Sequence, residues 1–568
     1  LRARTTKTNM SLFLLIAIVG AINFLNATFL DDEIHHLPGW APKSLPSRQF
    51  SGFLNANDEG TLQMHYWFIE SEVENPTEAP LVLWFNGGPG ASSLYGILIE
   101  LGPLILSDLS FMGEEYDKSG IPQLAYNEYG WQKVANILAL SMPPPVGFSF
   151  CTPPGPSAQG EDCGSWNDTS TAIVTYHAIK SWLKKFPHFK KNEVFLTGES
   201  YAGVYVPMIV KEIISHPEDG INLKGFAVGD ACTPPDICGS KQSGPFFQIQ
   251  FLYGKSAFSN KLYEEITSNC REDELVSGQM SSSCSTSVNK INIEAGGYWD
   301  YGFYDNCWYE NDIRRKNRQL ITIDEQDQSE NIRYYGPPIG RRVTTTTTVD
   351  KTSSSSYYIG GNGYACGGPN AQIAWLNRPE VMQALHIPED GNFFQCDNGV
   401  GFTYNLTETD LISWYKEIVT TNTLRVLVYN GDTDPCINSF QAQNWTRSLG
   451  FSEVQAWRPW TVDGCQSMGG YVTRYEKGLD FLTIRGSGHM VPQDRPQVSL
   501  EFISRFLKGE DYPQYQKDCV SPDKMNKYSK VEVDANKKEI LQEMREEQRM
   551  YEMKLRILHE KLHRVSSK

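Results

Sequence analysis

The sequence predicts an α/β fold: a central, mostly parallel sheet flanked by helices, with a second domain inserted into it. Three observations carry this prediction. Apolar runs of strand length recur at residues 81–85, 135–140, 194–196, 223–228 and 425–429, and an unbroken apolar strand belongs to a sheet covered on both faces. Segments of helical period stand among them, as at Ala172, Tyr176, Ile179 and Leu183, and strands alternating with helices imply parallel pairing. The alternation lapses from about Cys232 to Cys366 and then resumes, as it does around an insertion.

A chain of 568 residues suits one large α/β domain with an insertion. The formal net charge of −16 argues against a nucleic-acid-binding surface, which needs clustered Lys and Arg; it is compatible with an acidic compartment. Twelve cysteines occur without a C-x-x-C array or paired histidine spacing, so the expectation is disulfides of a secretory compartment, with no metal and no cofactor. Residues 11–27 form an apolar run closed by small residues and followed by Asp31-Asp32-Glu33. This reads as a signal peptide over 1–27, with a membrane anchor as the competing reading and no span expected in the mature chain. Met10 precedes the run, which makes residues 1–9 a candidate extension upstream of the start. Glycan acceptor triplets at Asn167, Asn405 and Asn444 agree with passage through the secretory route.

Residues 40–70 alternate polar and apolar about Asn57-Asp58-Glu59-Gly60, a hairpin signal. Residues 76–80 form a loop before the strand at 81–85, which runs into the glycine-rich segment 86–93. The strand at 135–140 stops at Pro143-Pro144-Pro145. The helix around Ala172 to Leu183 has Asp168 and Ser170 as candidate caps. After the strand at 194–196 comes Thr197-Gly198-Glu199-Ser200-Tyr201-Ala202-Gly203, then a helical run to about Ser215. Strand, tight small-residue turn and helix with a serine at the apex describe a nucleophile elbow; the strict G-x-S-x-G pattern is not met, since Ala202 takes the fifth position. Beyond the insertion, residues 379–386 read as a helix, and the strand at 425–429 ends in Asn430-Gly431-Asp432-Thr433-Asp434. A hairpin-like pair at 471–476 and 479–485 leads to Gly488-His489, and 498–507 forms a closing amphipathic helix.

The division expected is 28–231 for the first part of the core, 232–366 for the inserted domain and 367–510 for the second part. The insertion carries a polar low-complexity stretch and dibasic pairs near 314–358, read either as a disordered, processed loop or as an ordinary solvated linker. In the tail (520–568), Leu541, Met544, Gln548, Tyr551, Leu555, Leu558 and Leu562 keep helical spacing. That stripe would pair with a partner or a second copy, pack on the body, or stand as a solvated helix.

Ser200, Asp434 and His489 thus follow predicted strands, in the chain order of α/β-hydrolases. A serine hydroxyl needs an imidazole to take its proton, and the imidazole needs a carboxylate to hold its tautomer. Alone, His489 could be structural and Asp434 a turn former; jointly they define a candidate triad.

The motifs 86–90, 198–203, 431–434 and 488–492 make the chain resemble the serine carboxypeptidases, and within them the lysosomal carboxypeptidases of the cathepsin A type, over about residues 40–510. The resemblance implies an α/β-hydrolase fold with a cap and release of single C-terminal residues from peptides or proteins at acid pH. It implies Ser200 as nucleophile, His489 as base and Asp434, rather than Asp432, as its orienter. It also implies an oxyanion hole from the backbone of Gly88 and Tyr201, and Asn86, Glu100 and Glu199 as receptors of the substrate's terminal carboxylate. Two carboxyls facing a third cannot all ionise cheaply, so an acidic optimum for peptides is expected.

The sequence departs from the family's pattern at Ala91, where a cysteine bonded near Cys366 is usual, and at Pro145, where a glycine is usual. The short pairs Cys151/Cys163 and Cys270/Cys284 are candidate local bridges. Two other readings stand beside the leading one: an acyltransferase or esterase on the same framework, and a non-catalytic protective or binding partner.

Overall fold

Every residue of Leu81–Phe85 is buried, as is every residue of Asn136–Leu140 and Val194–Glu199. Strands of such sequence cannot face water on either side, and the computed structural model covers them on both. It describes residues 29–42, 44–234, 238, 244–304, 368–394, 402–421 and 423–519. The expected signal peptide, the loop near 314–358, Cys366 and the tail from 520 lie outside the described residues.

The main sheet is built from β1 (Glu33–Ile34), β2 (Gln49–Asn55), β3 (Leu62–Ile69), β4 (Leu81–Phe85), β5 (Asn136–Leu140), β6 (Val194–Glu199), β7 (Leu223–Gly229), β8 (Arg425–Gly431), β9 (Glu453–Thr461), β10 (Met468–Tyr475) and β11 (Leu479–Ile484). Their spatial order is β1-β2-β3-β5-β4-β6-β7-β8-β11-β10-β9, with the short strand Phe150–Cys151 paired to β3. From β5 to β11 the neighbours run parallel. The hairpin expected about Asn57–Gly60 is the antiparallel pair β2/β3, and β10 also runs antiparallel to β11.

Helices cover both faces. On one side α1 (Asp168–Lys185), α2 (Ala202–Ser215), α3 (Leu411–Thr421) and α4 (Ser439–Ser448) share a core with Leu83, Phe85, Leu196, Val228 and Val428. Ala172, Tyr176, Ile179 and Leu183, the predicted stripe of α1, are all buried there. On the other side α5 (Pro496–Lys508) sets Phe506 against Phe195 and Phe502 against Tyr429. Each buried side chain of this size contributes about 1.5–3 kcal/mol, so the layers specify the sheet order by the faces they cover.

One expectation is corrected here. The cap of α1 is neither Asp168 nor Ser170 but Asn167, whose Oδ1 accepts the Ser170 N–H while Ser170 Oγ accepts the Asn167 N–H. Asp168 turns inward instead, because buried hydroxyls await it there. Of the glycan acceptors, Asn405 and Asn444 are exposed and Asn167 is half-buried.

Between β7 and β8 the described part of the insertion is helical, with Phe246–Gly254, Asn260–Asn269, Glu272–Ser277 and Ser282–Asn289 around Phe251, Leu262, Ile266 and Cys284. Disulfides join Cys270 to Cys284 and Cys151 to Cys163, the two short pairs read from spacing; Cys232–Cys238 and Cys465–Cys519 were not foreseen. By contacts the chain divides into a large unit (1–458 with 470–511) and a small one (459–469 with 512–568). In the small unit the Thr461 N–H bonds to the Pro513 carbonyl and Trp460 packs on Tyr512. Among the described residues no helix is long and apolar enough to cross a membrane.

Candidate active site

Parallel strands present their carboxyl ends along one edge, and ligand sites gather there. Asn86 follows β4, Ser200 follows β6, Asp434 lies three residues past β8, and His489 lies five past β11. Since β4-β6-β7-β8-β11 are consecutive neighbours, residues far apart in sequence meet on that edge.

Ser200 sits at φ 60, a left-handed backbone that places it at the apex of the turn between β6 and α2. Close packing explains the small residues around it. A Cβ on Gly198 would lie 2.4 Å from the Phe85 carbonyl oxygen and 2.6 Å from the Ala202 Cβ, and one on Gly203 would lie 2.3 Å from the Cys232 oxygen. Ala202 in place of a glycine is tolerated because its Cβ faces Gly198, which has none. Gly87 presses on the same turn: a Cβ there would lie 2.4 Å from the Tyr201 nitrogen and 2.8 Å from the Ser200 Cβ. The Gly87-Gly88 backbone therefore borders the Ser200-Tyr201 peptide.

His489 is 3% exposed and Asp434 is fully buried. The Nδ1 of His489 is 2.7 Å from Asp434 Oδ2, and Asp434 Oδ1 accepts the Cys436 N–H at 2.8 Å. With Asp434 as acceptor, Nδ1 carries the proton and Nε2 is left as the basic nitrogen. The imidazole is also fixed from behind: its backbone N–H donates to the Tyr301 carbonyl at 2.7 Å, and the Tyr301 ring lies 4.6 Å from it. Asp432, the other candidate orienter, is turned away and accepts the Gly486 N–H at 2.7 Å.

Asn86, Glu100 and Glu199 come together, all nearly buried. The Asn86 Nδ2 donates to Glu100 Oε1 and to Glu199 Oε1, each at 3.0 Å. Asn86 is itself locked, since its Oδ1 accepts the Trp84 Nε1–H and the Gly96 N–H, each at 2.9 Å. Glu100 is delivered by a π-helical turn, Gly96–Glu100, closed by the Leu101 N–H on the Gly96 carbonyl; such turns recur at functional sites. The remaining oxygens, Glu100 Oε2 and Glu199 Oε2, are buried with no N–H or hydroxyl donor. A proton shared between the two carboxyls satisfies both. Burial pushes both groups up, Glu100 to about 7 and Glu199 further because the Glu100 charge adds to its desolvation.

Three features were missed at the level of sequence. Asp230, directly after β7, is buried beside Asp434 and His489. Its position past a parallel strand end was the readable signal. Tyr301, from the insertion, backs the imidazole and had no local signal. Asp168 binds the Tyr201 and Tyr404 hydroxyls at 2.6 and 3.0 Å and the Thr407 and Glu408 N–H groups at 2.6 and 2.7 Å, tying the residue after Ser200 to the start of α1. Asp230, Asp434 and His489 are the one cluster of metal-ligand type among the described residues. The Nδ1 that donates to Asp434 has no lone pair for a cation.

The fold and the serine elbow define an α/β-hydrolase. Residues 38–509 match the family model described as serine carboxypeptidase, and the chain belongs to that family, whose members are hydrolases of the exopeptidase class. It is 32% identical to the lysosomal protective protein of Mus musculus, over 89% of this chain and 99% of that one. It is 30% identical to serine carboxypeptidase-like 20 of Arabidopsis thaliana, over 88% and 98%. Among solved structures it is similar to a prohormone-processing carboxypeptidase of Saccharomyces cerevisiae, with a TM-score of 0.55 and 18% identity over 82% of this chain and 91% of that one.

Proposed function

We propose that the chain removes single residues from the free C-terminus of peptides and proteins, with Ser200 as nucleophile, His489 as general base and Asp434 as its orienter. The observation that carries the reading is the buried Asn86–Glu100–Glu199 cluster, whose Glu199 immediately precedes Ser200. A substrate carboxylate has a use for such a cluster: the carboxyl proton, and an Asn86 Nδ2–H released by a glutamate, would turn to it as donors, next to the serine that would attack the adjoining carbonyl.

In the proposed reaction the Ser200 hydroxyl adds to the scissile carbonyl as Nε2 of His489 takes its proton. The new oxyanion is held by the N–H groups of Gly88 and Tyr201, donors aimed at charge that develops only in the transition state. The imidazolium, stabilised by Asp434, gives its proton to the leaving amine, and water then hydrolyses the acyl-enzyme by the same steps in reverse order. Binding of an anion beside two carboxyls requires their shared proton, which supports an acidic optimum.

The test compares a blocked dipeptide with its C-terminally amidated form at acid pH, with Ser200→Ala as control. Cleavage of the acid alone, abolished in Ser200→Ala, is the expected outcome; equal cleavage of both forms refutes the exopeptidase reading and favours an esterase-like site. Four disulfides among the described residues and the exposed acceptors Asn405 and Asn444 support a lysosomal or extracellular destination. Association of two copies through the apolar stripe of the C-terminal segment is the matching proposal for that segment, tested by comparing the solution mass of the full chain with that of a chain ending at 519.

A further inference from the structure

Asp230 is a further titratable group at the strand edge, and the reaction proposed above does not use it. It follows β7, between the strand that ends at the serine and the strand that leads to Asp434. It is fully buried, with φ 43. Its Oδ1 is occupied, accepting the Asn430 Nδ2–H at 2.8 Å and the Gly431 N–H at 3.0 Å. Its Oδ2 is buried with no N–H or hydroxyl donor. Asp230, Asp434 and His489 bring one polar atom each within 4.8 Å of one another, which sets the Asp230 carboxyl beside the carboxylate that holds the imidazole.

We propose that Asp230 is a positioning residue of the triad: its carboxyl stays protonated and donates from Oδ2 to the Asp434 carboxylate, fixing that carboxylate against His489. An ionised Asp230 would put two buried negative charges side by side; a protonated one turns an orphaned oxygen into a donor. Burial holds the group well above the usual carboxylate range, and the Asp434 charge pushes the same way. The other groups that face it are His489, Glu199 at the end of β6 and Tyr429 of β8. Because the folded-state value is raised, the proton is held to higher pH than on an ordinary carboxylate and is lost as pH rises further. Its loss adds a negative charge beside the triad, which holds the imidazole in its charged form and removes the base.

The inference rests on the triad reading, and its test separates the two. The substrate is a blocked amino-acid nitrophenyl ester, which has no terminal carboxylate and so leaves Glu100 and Glu199 out. Asp230→Asn keeps the shape and a donor but cannot ionise. Asp230→Gly removes the carboxyl and accepts the positive φ without strain. Asp230→Gly is expected to lose about 10- to 100-fold in kcat at unchanged KM, while Asp230→Asn stays within about threefold of the parent. The alkaline limb of kcat/KM moves to higher pH in both variants, since neither can ionise at 230. Equal loss in both variants, full kcat in Asp230→Gly, or an unmoved alkaline limb in Asp230→Asn overturns the inference. The last readout decides the matter by itself if the glycine variant does not fold. Ester turnover that survives in Ser200→Ala overturns the triad reading instead.

Discussion

Replacing both carboxyls of the substrate-facing pair, Glu100→Gln with Glu199→Gln, converts a pH-dependent receptor into a fixed one. In the parent, Glu100 Oε2 and Glu199 Oε2 are buried without a donor, and a proton kept on the pair is the one the ligand's carboxylate would meet. Raised groups hold their protons below their folded values and lose them as pH rises, here through the range near 7 in which Glu100 stands. Loss of that proton removes one hydrogen bond to a charged ligand, about 1.5–3 kcal/mol. It also sets a second ionised carboxylate against the ligand's own. At about 4 Å and an effective dielectric constant of about 20 that repulsion is about 4 kcal/mol, an upper bound. A rise of about 10- to 100-fold in the inhibition constant of a blocked amino acid, from about pH 5 to about pH 8, follows. The assay is competitive inhibition of ester hydrolysis, because it reads binding of the terminal carboxylate without the peptide chemistry. In the doubly substituted chain neither side chain can ionise, and the amides keep donors for the ligand and acceptors for Asn86. Its inhibition constant is expected to be flat across the same range and tighter than the parent's at the alkaline end. A parental slope in the double variant would show that the pH dependence arises elsewhere, and the receptor reading would fail.

Gly87→Ala would place a methyl 2.4 Å from the Tyr201 nitrogen; kcat for the ester should fall by about 100-fold or more, the scale of losing one oxyanion donor, and an unchanged kcat would refute the placement of that loop against the elbow. Asp168→Ala leaves two tyrosine hydroxyls and two backbone N–H groups without their acceptor; denaturant unfolding should show a loss of about 2–4 kcal/mol, and a loss under about 0.5 kcal/mol, the scale of a surface substitution, would refute the network. Overall stability should itself depend on pH. Glu100, Glu199 and Asp230 are raised in the folded chain, so above about pH 4.3 these three carboxyls bind more protons folded than unfolded and their contribution to stability declines as pH rises, opposed below about pH 6.5 by the single buried His65, lowered to about 3. Calorimetric scans should give a Tm that falls between about pH 5 and about pH 8, less steeply in the double glutamine variant; equal slopes in both would refute the assignment.

Much of the fold was legible because its signals are local. An unbroken apolar run such as Leu81–Phe85 can lie only in a doubly covered sheet, and Asn57–Gly60 turns the chain whatever surrounds it. Strand β9 and helices α3 and α4 were not anticipated, because Glu453–Thr461 is largely exposed or half-exposed and carries little apolar pattern. The cap of α1 was misread for a related reason. Asn167 and Asp168 are equally good capping types, and only the buried tyrosines that claim Asp168 decide between them.

Residue type and chain order by themselves determined the α/β layering, the serine turn and the sequence Ser200, Asp434, His489, since each depends on neighbours within a few residues. Tertiary structure alone decided that a π-turn carries Glu100 to Glu199 across 99 positions of chain, that Tyr301 of the insertion backs the imidazole, and that Asp230 stands beside the triad. Those facts follow from which strands lie side by side and from the burial this imposes. Adjacency of β6, β7, β8 and β11 is set by how the helical layers cover the two faces of the sheet, and no short stretch of sequence records it.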